Sequence, residues 1–203
     1  MIANYKFNFL YIHIQKTAGT SIQHRLMKLP SSHIIYNSHT RIKDIEFTPE
    51  LANCFIFAFV RNPWDRLVSW YNMSIQKGPV NAFHKYTLEN SKNFSEFLNC
   101  TDIIDDYLDN TNHLIQYKKS IAFNQIDYIS DKSGKIVADY IGRFENLNED
   151  FKIISDIIGI KNVTLPHLNN RVHSDYREYY SAADAEKVFK MYKKDIEYFN
   201  YTF

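Results

Sequence analysis

The stretch Phe9–Leu26, FLYIHIQKTAGTSIQHRL, passes from an apolar run through a short polar turn into a helical pattern. Phe7 to Ile14 is rich in aromatic and β-branched residues, which predicts a buried strand. Thr20 to Leu29 carries apolar residues at helical spacing and stops before Pro30, which predicts a helix. The turn between them therefore leads into a helix N-terminus, where free backbone N–H groups and the helix dipole favour an anion.

The side chains of this turn add to its affinity for an anion. Lys16 supplies a mobile positive charge, Thr17, Thr20 and Ser21 supply hydroxyl donors, and Gly19 permits a left-handed backbone or the close approach of a ligand. The alternative is an ordinary strand–turn–helix connection with capping residues and a solvated lysine. In the loop that binds nucleoside triphosphates, a glycine precedes the lysine. Here the lysine comes first, which disfavours a magnesium-dependent kinase or GTPase.

A second apolar run, Cys54–Val60, predicts a central parallel strand that is covered on both faces. Arg61 follows it directly and is therefore expected at the same sheet edge as the lysine of the first turn. The Asn-Pro pair that comes next predicts a helix start, and Ser69 lies about two turns into that helix. An arginine fork and a hydroxyl can together hold a second phosphate. The alternative is a solvated helix face, which suits Asp65 and Arg66.

The remaining pattern alternates strands with helices. This predicts an α/β fold in which a central parallel β-sheet is flanked by α-helices on both faces, in a single domain over residues 1–203. A helix with an Ser-x-x-Asp cap is predicted from Ser181 to Phe199. The other predicted elements are a strand at Ile34 to Tyr36, a helix after Thr48-Pro49, helices around Phe94, Phe97 and Leu98 and around Ile103, Tyr107 and Leu108, two strands about the turn Asp131 to Gly134, a helix from Leu147 to Ile158, and a loop at 164–180.

Composition restricts the possible partners. The 203 residues are 45% apolar and 23% charged with a formal net charge of +1, so no global field favours nucleic acid or an anionic membrane. The two cysteines form neither a disulfide framework nor a metal-binding spacing. No run approaches the roughly 18 apolar residues that a membrane-spanning helix requires. We therefore expect a cytoplasmic protein with a small-molecule partner and no integral membrane segment.

Two motifs resemble those of a known family. IHIQKTAGTS followed by FAFVRNPWDRLVSWY is similar to the nucleotide-binding motifs of sulfotransferases that use 3′-phosphoadenosine-5′-phosphosulfate (PAPS). The resemblance is greatest to the carbohydrate sulfotransferases of the Golgi type and their bacterial relatives, with a P-loop-like fold. It continues in IGRFENLNEDF and YYSAADAEKVFKMYKKDIEYFNY, so it covers nearly the whole chain. Gln15 replaces a usual proline and Trp70 a usual small residue, and neither change removes a functional group.

The resemblance implies a set of cofactor-binding residues and no metal. The 5′-phosphosulfate would lie against the first turn, with Lys16 on the bridging oxygen, and the 3′-phosphate against Arg61 and Ser69. The position of Arg171 in the polar loop before the last helix, independently of the resemblance, predicts that it closes over the nucleotide, and the alternative is a solvated surface loop. The full cofactor-binding set is Lys16, Thr17, Ala18, Gly19, Thr20, Ser21, Arg61, Ser69 and Arg171. The product would be 3′,5′-adenosine bisphosphate (PAP).

Sulfuryl transfer also needs a base that takes the proton of the acceptor hydroxyl. Histidine suits this role because its ordinary pKa lies near neutrality, and His39 occupies a position where similar proteins often place one. The catalytic pair is thus predicted to be Lys16 and His39, and His13 is expected to be packed in the first strand. His167, His173, Asp44 and Glu46 are the alternatives for the base, while Arg143 and Glu145 either pair with each other or contact ligand.

The sequence therefore predicts in-line transfer of a sulfuryl group from PAPS to a hydroxyl of a carbohydrate or another small acceptor. Residues 72–125 and 164–180 are expected to line the acceptor cleft. The alternatives are a kinase-like nucleotide enzyme and a non-catalytic nucleotide-binding module on the same fold.

Overall fold

The computed structural model describes residues 1–37, 39–78, 82–99, 121, 123–161, 164–165 and 174–203. The chain divides into two compact units. The first contains Met1–Arg61 and Gln125–Arg171, and the second contains Asn62–Asn124 and Val172–Phe203.

The first unit is built on a five-stranded sheet. Its strands are β1 (Ile2–Asn4), β2 (Phe9–Ile12), β3 (Ser32–Ile34), β4 (Phe55–Val60) and β5 (Tyr140–Arg143). They lie in the order β3-β1-β2-β4-β5. β2, β4 and β5 are parallel, whereas β1 is antiparallel to both of its neighbours, β2 and β3.

The two antiparallel pairings bring the end of β3 to the same edge as the ends of the parallel strands. Since β1 reverses direction relative to β2, and β3 reverses it again, β3 runs in the same direction as β2. Ile2 of β1 pairs with Tyr11 on one side and Ile34 on the other, so β2 and β3 end at nearly the same level. The segments that follow β2, β3, β4 and β5 therefore emerge along one edge of the sheet.

Eight α-helices with defined bounds accompany these strands among the described residues. They are α1 (Gly19–Leu26), α2 (Pro49–Ala52), α3 (Pro63–Lys77), α4 (Ala82–Asn90), α5 (Ile126–Ile129), α6 (Leu147–Ile157), α7 (Ala182–Met191) and α8 (Lys193–Phe199). Residues 94–99 are also helical. Short 3₁₀ helices lie at Ile42–Asp44, Phe144–Asn146 and Tyr176–Tyr179.

Alternate residues of the central strands form the core of the first unit, together with α1 and α6. Successive side chains of a strand point to opposite faces. The core cluster on one face joins Phe9 and Tyr11 of β2 and Phe57 and Phe59 of β4 with Ile22 and Leu26 of α1 and Phe151 and Ile154 of α6. The residues between them, Leu10, Ile12, Ile56, Ala58 and Val60, are buried as well. Both faces of the central strands are thus covered, which explains their continuous apolar pattern.

The second unit is held together by aromatic side chains and by a buried arginine. The indole Nε1 of Trp64 donates to the Ala185 carbonyl at 3.0 Å, and the Tyr180 hydroxyl donates to the Trp64 carbonyl at 2.8 Å. Arg66 is 1% exposed, donates to the Phe123 carbonyl at 3.3 Å, and lies 5.7 Å from the ring centroid of Tyr192. The expectation of a solvated face is therefore wrong for Arg66, because its guanidinium stacks against the aromatic interior of this unit.

The α/β prediction is confirmed, and the differences concern element ends and one missed strand. β1 was not predicted because its three residues are too few to show a period. The sheet is consequently mixed, although its central strands are parallel. The predicted strand pair around Asp131 is only an isolated bridge between Ser130 and Ile136, and the helix from Ser181 divides at Tyr192 into α7 and α8. Ile103, Tyr107 and Leu108 lie outside the described residues.

Packing of Gly142 against Phe59 yields a test of the core. A Cβ atom at Gly142 in β5 would lie 2.5 Å from Cε1 of the Phe59 ring, so the ring would have to move within a filled core. We expect Gly142→Ala to lower the free energy of unfolding by about 1–3 kcal/mol. Urea denaturation measures the change. In a Phe59→Leu background the same substitution should cost less, and an equal cost in both backgrounds would contradict this explanation.

Candidate functional site

The loop between β2 and α1 holds two non-glycine residues in the left-handed region. Lys16 has φ 68° and Ala18 has φ 65°. Residues other than glycine enter this region at a cost of order 1–3 kcal/mol, and they do so mainly where a ligand is bound or a switch operates. Of the two alternatives for Gly19, a left-handed backbone or the close approach of a ligand, the first is not used, because Lys16 and Ala18 are the left-handed residues of the loop. Gly19 serves close packing, because a Cβ atom there would overlap the imidazole ring of His13.

The start of α1 is electropositive. Ala18 is the N-cap, and its carbonyl accepts from the N–H groups of Ser21 and Ile22. Its methyl side chain cannot cap, the first turn carries no acidic residue, and His24 and Arg25 lie in the last turn. The partial positive charge of the helix N-terminus is thus not offset by an acidic group in that turn or by an N-cap side chain. This end of the helix is suited to an anionic group of a ligand.

The hydroxyls of the loop have different surroundings. The Thr17 hydroxyl is fully buried and donates to the Ile14 carbonyl at 2.9 Å, so it braces the turn. Thr20 is exposed, and Ser21 is 8% exposed. The Thr17 hydroxyl is therefore used within the turn, whereas Thr20 is accessible to solvent.

Arg61 connects the ends of three strands. Its guanidinium Nη1 donates to the Lys16 carbonyl at 3.2 Å, and its Cζ lies 4.0 Å from the ring centroid of Phe144, which follows β5. Its backbone is clamped by Gln125, whose Oε1 accepts from the Arg61 N–H at 2.9 Å and whose Nε2 donates to the Arg61 carbonyl at 2.8 Å. Arg61 is only 5% exposed. The arrangement holds one guanidinium against the loop between β2 and α1 in a defined orientation.

Phe144 and Gln125 were not among the predicted site residues. An aromatic residue directly after a strand of the sheet is a signal that would have indicated Phe144. Gln125 contacts Arg61 from a distant part of the chain, and nothing in the sequence around it indicates that partnership. Ser69, the other residue predicted for the second phosphate, lies half-buried in α3 of the second unit.

His39 lies in the segment after β3 and is oriented by His13. Its φ of 74° is left-handed, and its Nδ1 lies 3.2 Å from the His13 carbonyl oxygen. Because a carbonyl oxygen can only accept, Nδ1 carries the proton in this hydrogen bond. The lone pair of the neutral imidazole is then on Nε2. The ring centroids of the two histidines are 4.4 Å apart at an interplanar angle of 63°, an edge-on contact.

The His13 ring is buried and neutral. It is 9% exposed, and burial lowers its pKa to about 3, with the nearby His39 and the Met1 amino group acting in the same direction and a hydrogen bond with Gln23 opposing them. The prediction that His13 is packed is thus met, although the residue follows β2 rather than lying in it. A neutral side chain at this position cannot act as a charged group near pH 7.

The alternative bases differ in their surroundings. Asp44 forms a two-point ion pair with Arg41, with Nε to Oδ2 at 2.6 Å and Nη2 to Oδ1 at 3.0 Å. Glu46 is exposed. The other predicted residues, His167, His173 and Arg171, lie outside the described part of the chain.

The end of β5 is braced by Asp150. Its carboxylate accepts from the backbone N–H of Arg143 at 2.6 Å and from the Tyr140 hydroxyl at 2.8 Å. Burial and this carboxylate raise the pKa of Tyr140 to about 12. The backbone N–H of Arg143 makes the contact with Asp150. The pairing of Arg143 with Glu145 stays a prediction.

Within the described residues, no group of three or more His, Cys, Asp or Glu side chains could hold a metal ion. The helices of the same part of the chain include none whose length and apolar character would let it cross a bilayer.

Comparison with known proteins identifies the class. The model of the sulfotransferase family matches residues 1–202, so the chain belongs to the sulfotransferase family and is a sulfotransferase. A solved structure with a similar fold is that of the mouse sulfotransferase SULT7A1 complexed with PAP. The two share 13% identity at a TM-score of 0.53, over 93% of this chain and 83% of the mouse chain. No curated protein matches the chain significantly. The resemblance to PAPS-dependent sulfotransferases is thereby confirmed.

The buried His13 makes the stability of the protein depend on pH. Its pKa is about 3 in the folded protein and 6.5 ordinarily, so between these values the unfolded chain binds a proton that the folded chain does not. Stability should therefore fall as the pH is lowered from 6.5 toward 4. We expect His13→Asn to reduce this slope by up to about 1.4 kcal/mol per pH unit. Denaturation at several pH values measures it, with the exposed His24→Ala as the control. Equal slopes for His13→Asn and wild type would contradict the assignment.

Proposed function

We propose that this sulfotransferase moves a sulfuryl group from PAPS to a hydroxyl of a carbohydrate or another small acceptor. The observation that carries the proposal is the 3.2 Å hydrogen bond from the Arg61 guanidinium to the Lys16 carbonyl. It joins the two motifs that resemble the nucleotide-binding motifs of this family, at the edge of the sheet where α/β proteins bind ligands. The PAP in the mouse structure supports the same cofactor class.

The 5′-phosphosulfate is proposed to lie on the loop Lys16 to Ser21. Lys16 and Ala18 are left-handed, and in proteins such residues within a turn often form concavities of backbone N–H groups that bind anions. The start of α1, which has no side-chain cap, adds the helix dipole. Ala18 and Gly19 contribute backbone, Thr20 and Ser21 add hydroxyls, and the Thr17 hydroxyl keeps the turn in shape. An anion bound here would supply the charge that the α1 N-terminus lacks.

Lys16 is proposed to neutralise the leaving phosphate. Bound PAPS supplies the sulfuryl group, and the acceptor oxygen replaces the bridging oxygen on sulfur in line. Lys16 would hold its ammonium group at that bridging oxygen and stabilise the negative charge that develops there. A compact ammonium on a flexible stem can follow this change of charge without a metal ion.

The 3′-phosphate is assigned to Arg61 and Ser69 on the strength of the family resemblance. The guanidinium of Arg61 is held in place by Phe144 and by the Lys16 carbonyl, so little conformational entropy would be lost when it binds phosphate. Arg171 is proposed as a residue that closes over the nucleotide. One sulfotransferase domain over residues 1–203 and a cytoplasmic location stay predictions.

His39 is proposed as the base. With Nδ1 donating to the His13 carbonyl, Nε2 is the nitrogen that would take the proton of the acceptor hydroxyl. Asp44 would first have to give up its two-point ion pair with Arg41, which favours the histidine. A kinase-like activity is disfavoured by the order of residues in the loop, where Lys16 precedes Gly19.

Nucleotide selectivity tests the cofactor assignment. PAP should raise the melting temperature more than ADP or magnesium-ATP, by about 5–10 °C at 100 times its dissociation constant. Lys16→Ala should reduce this shift, since the charge at the 5′-phosphate is lost, while Lys28→Ala, a change at an exposed lysine just after α1, should keep it. Equal shifts for PAP and ADP, or none for either, would refute the proposed cofactor site.

The base assignment is tested by transfer from labelled PAPS to a panel of mono- and disaccharides and phenols. His39→Ala should lower kcat by about 10²- to 10⁴-fold, as expected for a lost general base, and leave the PAP-induced shift unchanged. His33→Ala, at an exposed histidine of β3, is the matched control. Wild-type turnover in His39→Ala would show that another residue is the base, and loss of PAP binding would show that His39 holds the nucleotide.

A further inference from the structure

We propose that the ring of His13 is a positioning residue that sets the His39 base relative to the phosphosulfate loop. The inference rests on the proposed function. The carbonyl oxygen of His13 accepts a hydrogen bond from the His39 ring, and the two imidazole rings are in contact. The His13 ring also packs against Gly19 at the start of α1. One side chain thus contacts both the segment assigned to the cofactor and the side chain assigned to the acceptor proton.

The contact between the two histidines follows from the sheet. His13 comes directly after β2, and His39 lies five residues after the end of β3. Because β1 makes β2 and β3 run in the same direction, both segments leave the same edge and the rings meet at a centroid distance of 4.4 Å. His39 has a left-handed φ, which is an unfavourable backbone conformation for a residue other than glycine. This conformation requires support from neighbouring groups.

The Gly19 backbone prevents the His13 ring from moving toward α1. A Cβ atom at Gly19 would overlap Nε2, Cδ2 and Cε1 of the ring, so the imidazole lies directly on the Gly19 backbone. On another side the ring stacks with Tyr11 at a centroid distance of 5.9 Å. A shift of the first turn of α1 would therefore displace the His13 ring, and through it the His39 ring.

His13 is proposed to position His39 through packing and not through charge. The groups that face it are the His39 imidazole, the Met1 amino group, Gln23 and the Tyr11 ring. Its ring stays neutral across the range in which a histidine base works, so removing it leaves the charge around His39 unchanged in that range. The effect of a substitution on His39 must then come from lost packing.

A purely structural role for His13 predicts a different result. A core residue that only adds stability would, when truncated, lower the melting temperature and leave the His39 tautomer and the turnover of the folded enzyme as they were. A positioning residue changes both in the folded enzyme. The Nδ1–H tautomer of His39, read from its imidazole ¹⁵N chemical shifts in the PAP-bound protein, separates these cases without requiring an acceptor.

The experiment compares His13→Ala, Gly19→Ala and the double variant, with His24→Ala as the control at an exposed histidine of α1. Each folded variant is examined for the PAP-induced thermal shift, the ¹⁵N shifts of His39, and the pH dependence of kcat/KM with labelled PAPS. If His13→Ala does not fold, the same measurements are made on His13→Asn, which keeps a planar side chain.

We expect His13→Ala to retain PAP binding, to mix the two tautomers of His39 and to lower kcat by at least about tenfold, since small misplacements of catalytic groups have effects of that size or larger. Gly19→Ala should cause a similar change by displacing the ring. In the double variant the added methyl occupies the vacated space, so Gly19→Ala should have little further effect on His39 once the ring is absent.

An unaltered His39 tautomer together with wild-type kcat in His13→Ala would overturn the proposal. So would independent, additive effects of the Gly19 and His13 substitutions on the His39 signals. Failure of the proposed function has a different signature, because wild-type protein would then show no selective shift with PAP and no transfer. The coupling between His13 and His39 would in that case be read from the ¹⁵N spectra of the nucleotide-free protein.

Discussion

The antiparallel strand β1 is the constraint on which the arrangement of the candidate site depends. It lies between β2 and β3 and pairs with both, so the two strands that flank it run in one direction. Without this inserted strand, the segment that carries His39 would have no reason to leave the same edge of the sheet as the loop that carries Lys16. Three residues of chain, Ile2–Asn4, thus bring the assigned base to the assigned phosphosulfate loop.

The sequence predicted the parallel part of the sheet well. Of the antiparallel part it placed β3 two residues too late, at Ile34 to Tyr36, and it did not predict β1. β2 and β4 are continuous apolar runs because both of their faces are buried, and this is the signal that a sequence shows most clearly. Arg61 could be assigned to the edge of the sheet from its place after β4 alone. β1 is equally buried, but a run of three residues beside a turn has no measurable period, and its pairing with β3 depends on tertiary contacts.

The candidate site shows the same division. The loop could be predicted as an anion site because a lysine, hydroxyls and a helix start follow one another in sequence. The need for glycine at position 19 could not be predicted, because the ring that excludes a side chain there belongs to His13. This residue precedes the turn in sequence and packs back against it. Likewise, Phe144 supports Arg61 across strands that are adjacent only in space. Sequence reasoning identified the groups assigned to ligand binding and missed the neighbours that hold them in place.

The left-handed residues at this edge indicate that the site is built before ligand arrives. Lys16, Ala18 and His39 all adopt a backbone that disfavours side chains, and each such residue costs on the order of 1–3 kcal/mol. The hydrogen bonds that hold them, from Thr17 to the Ile14 carbonyl, from Arg61 to the Lys16 carbonyl and from His39 to the His13 carbonyl, are all made within the protein. A loop held in this shape by its own fold does not need the nucleotide to order it. Binding energy from PAPS would then be available to stabilise the charge that develops as the sulfuryl group leaves, which is where it increases the rate.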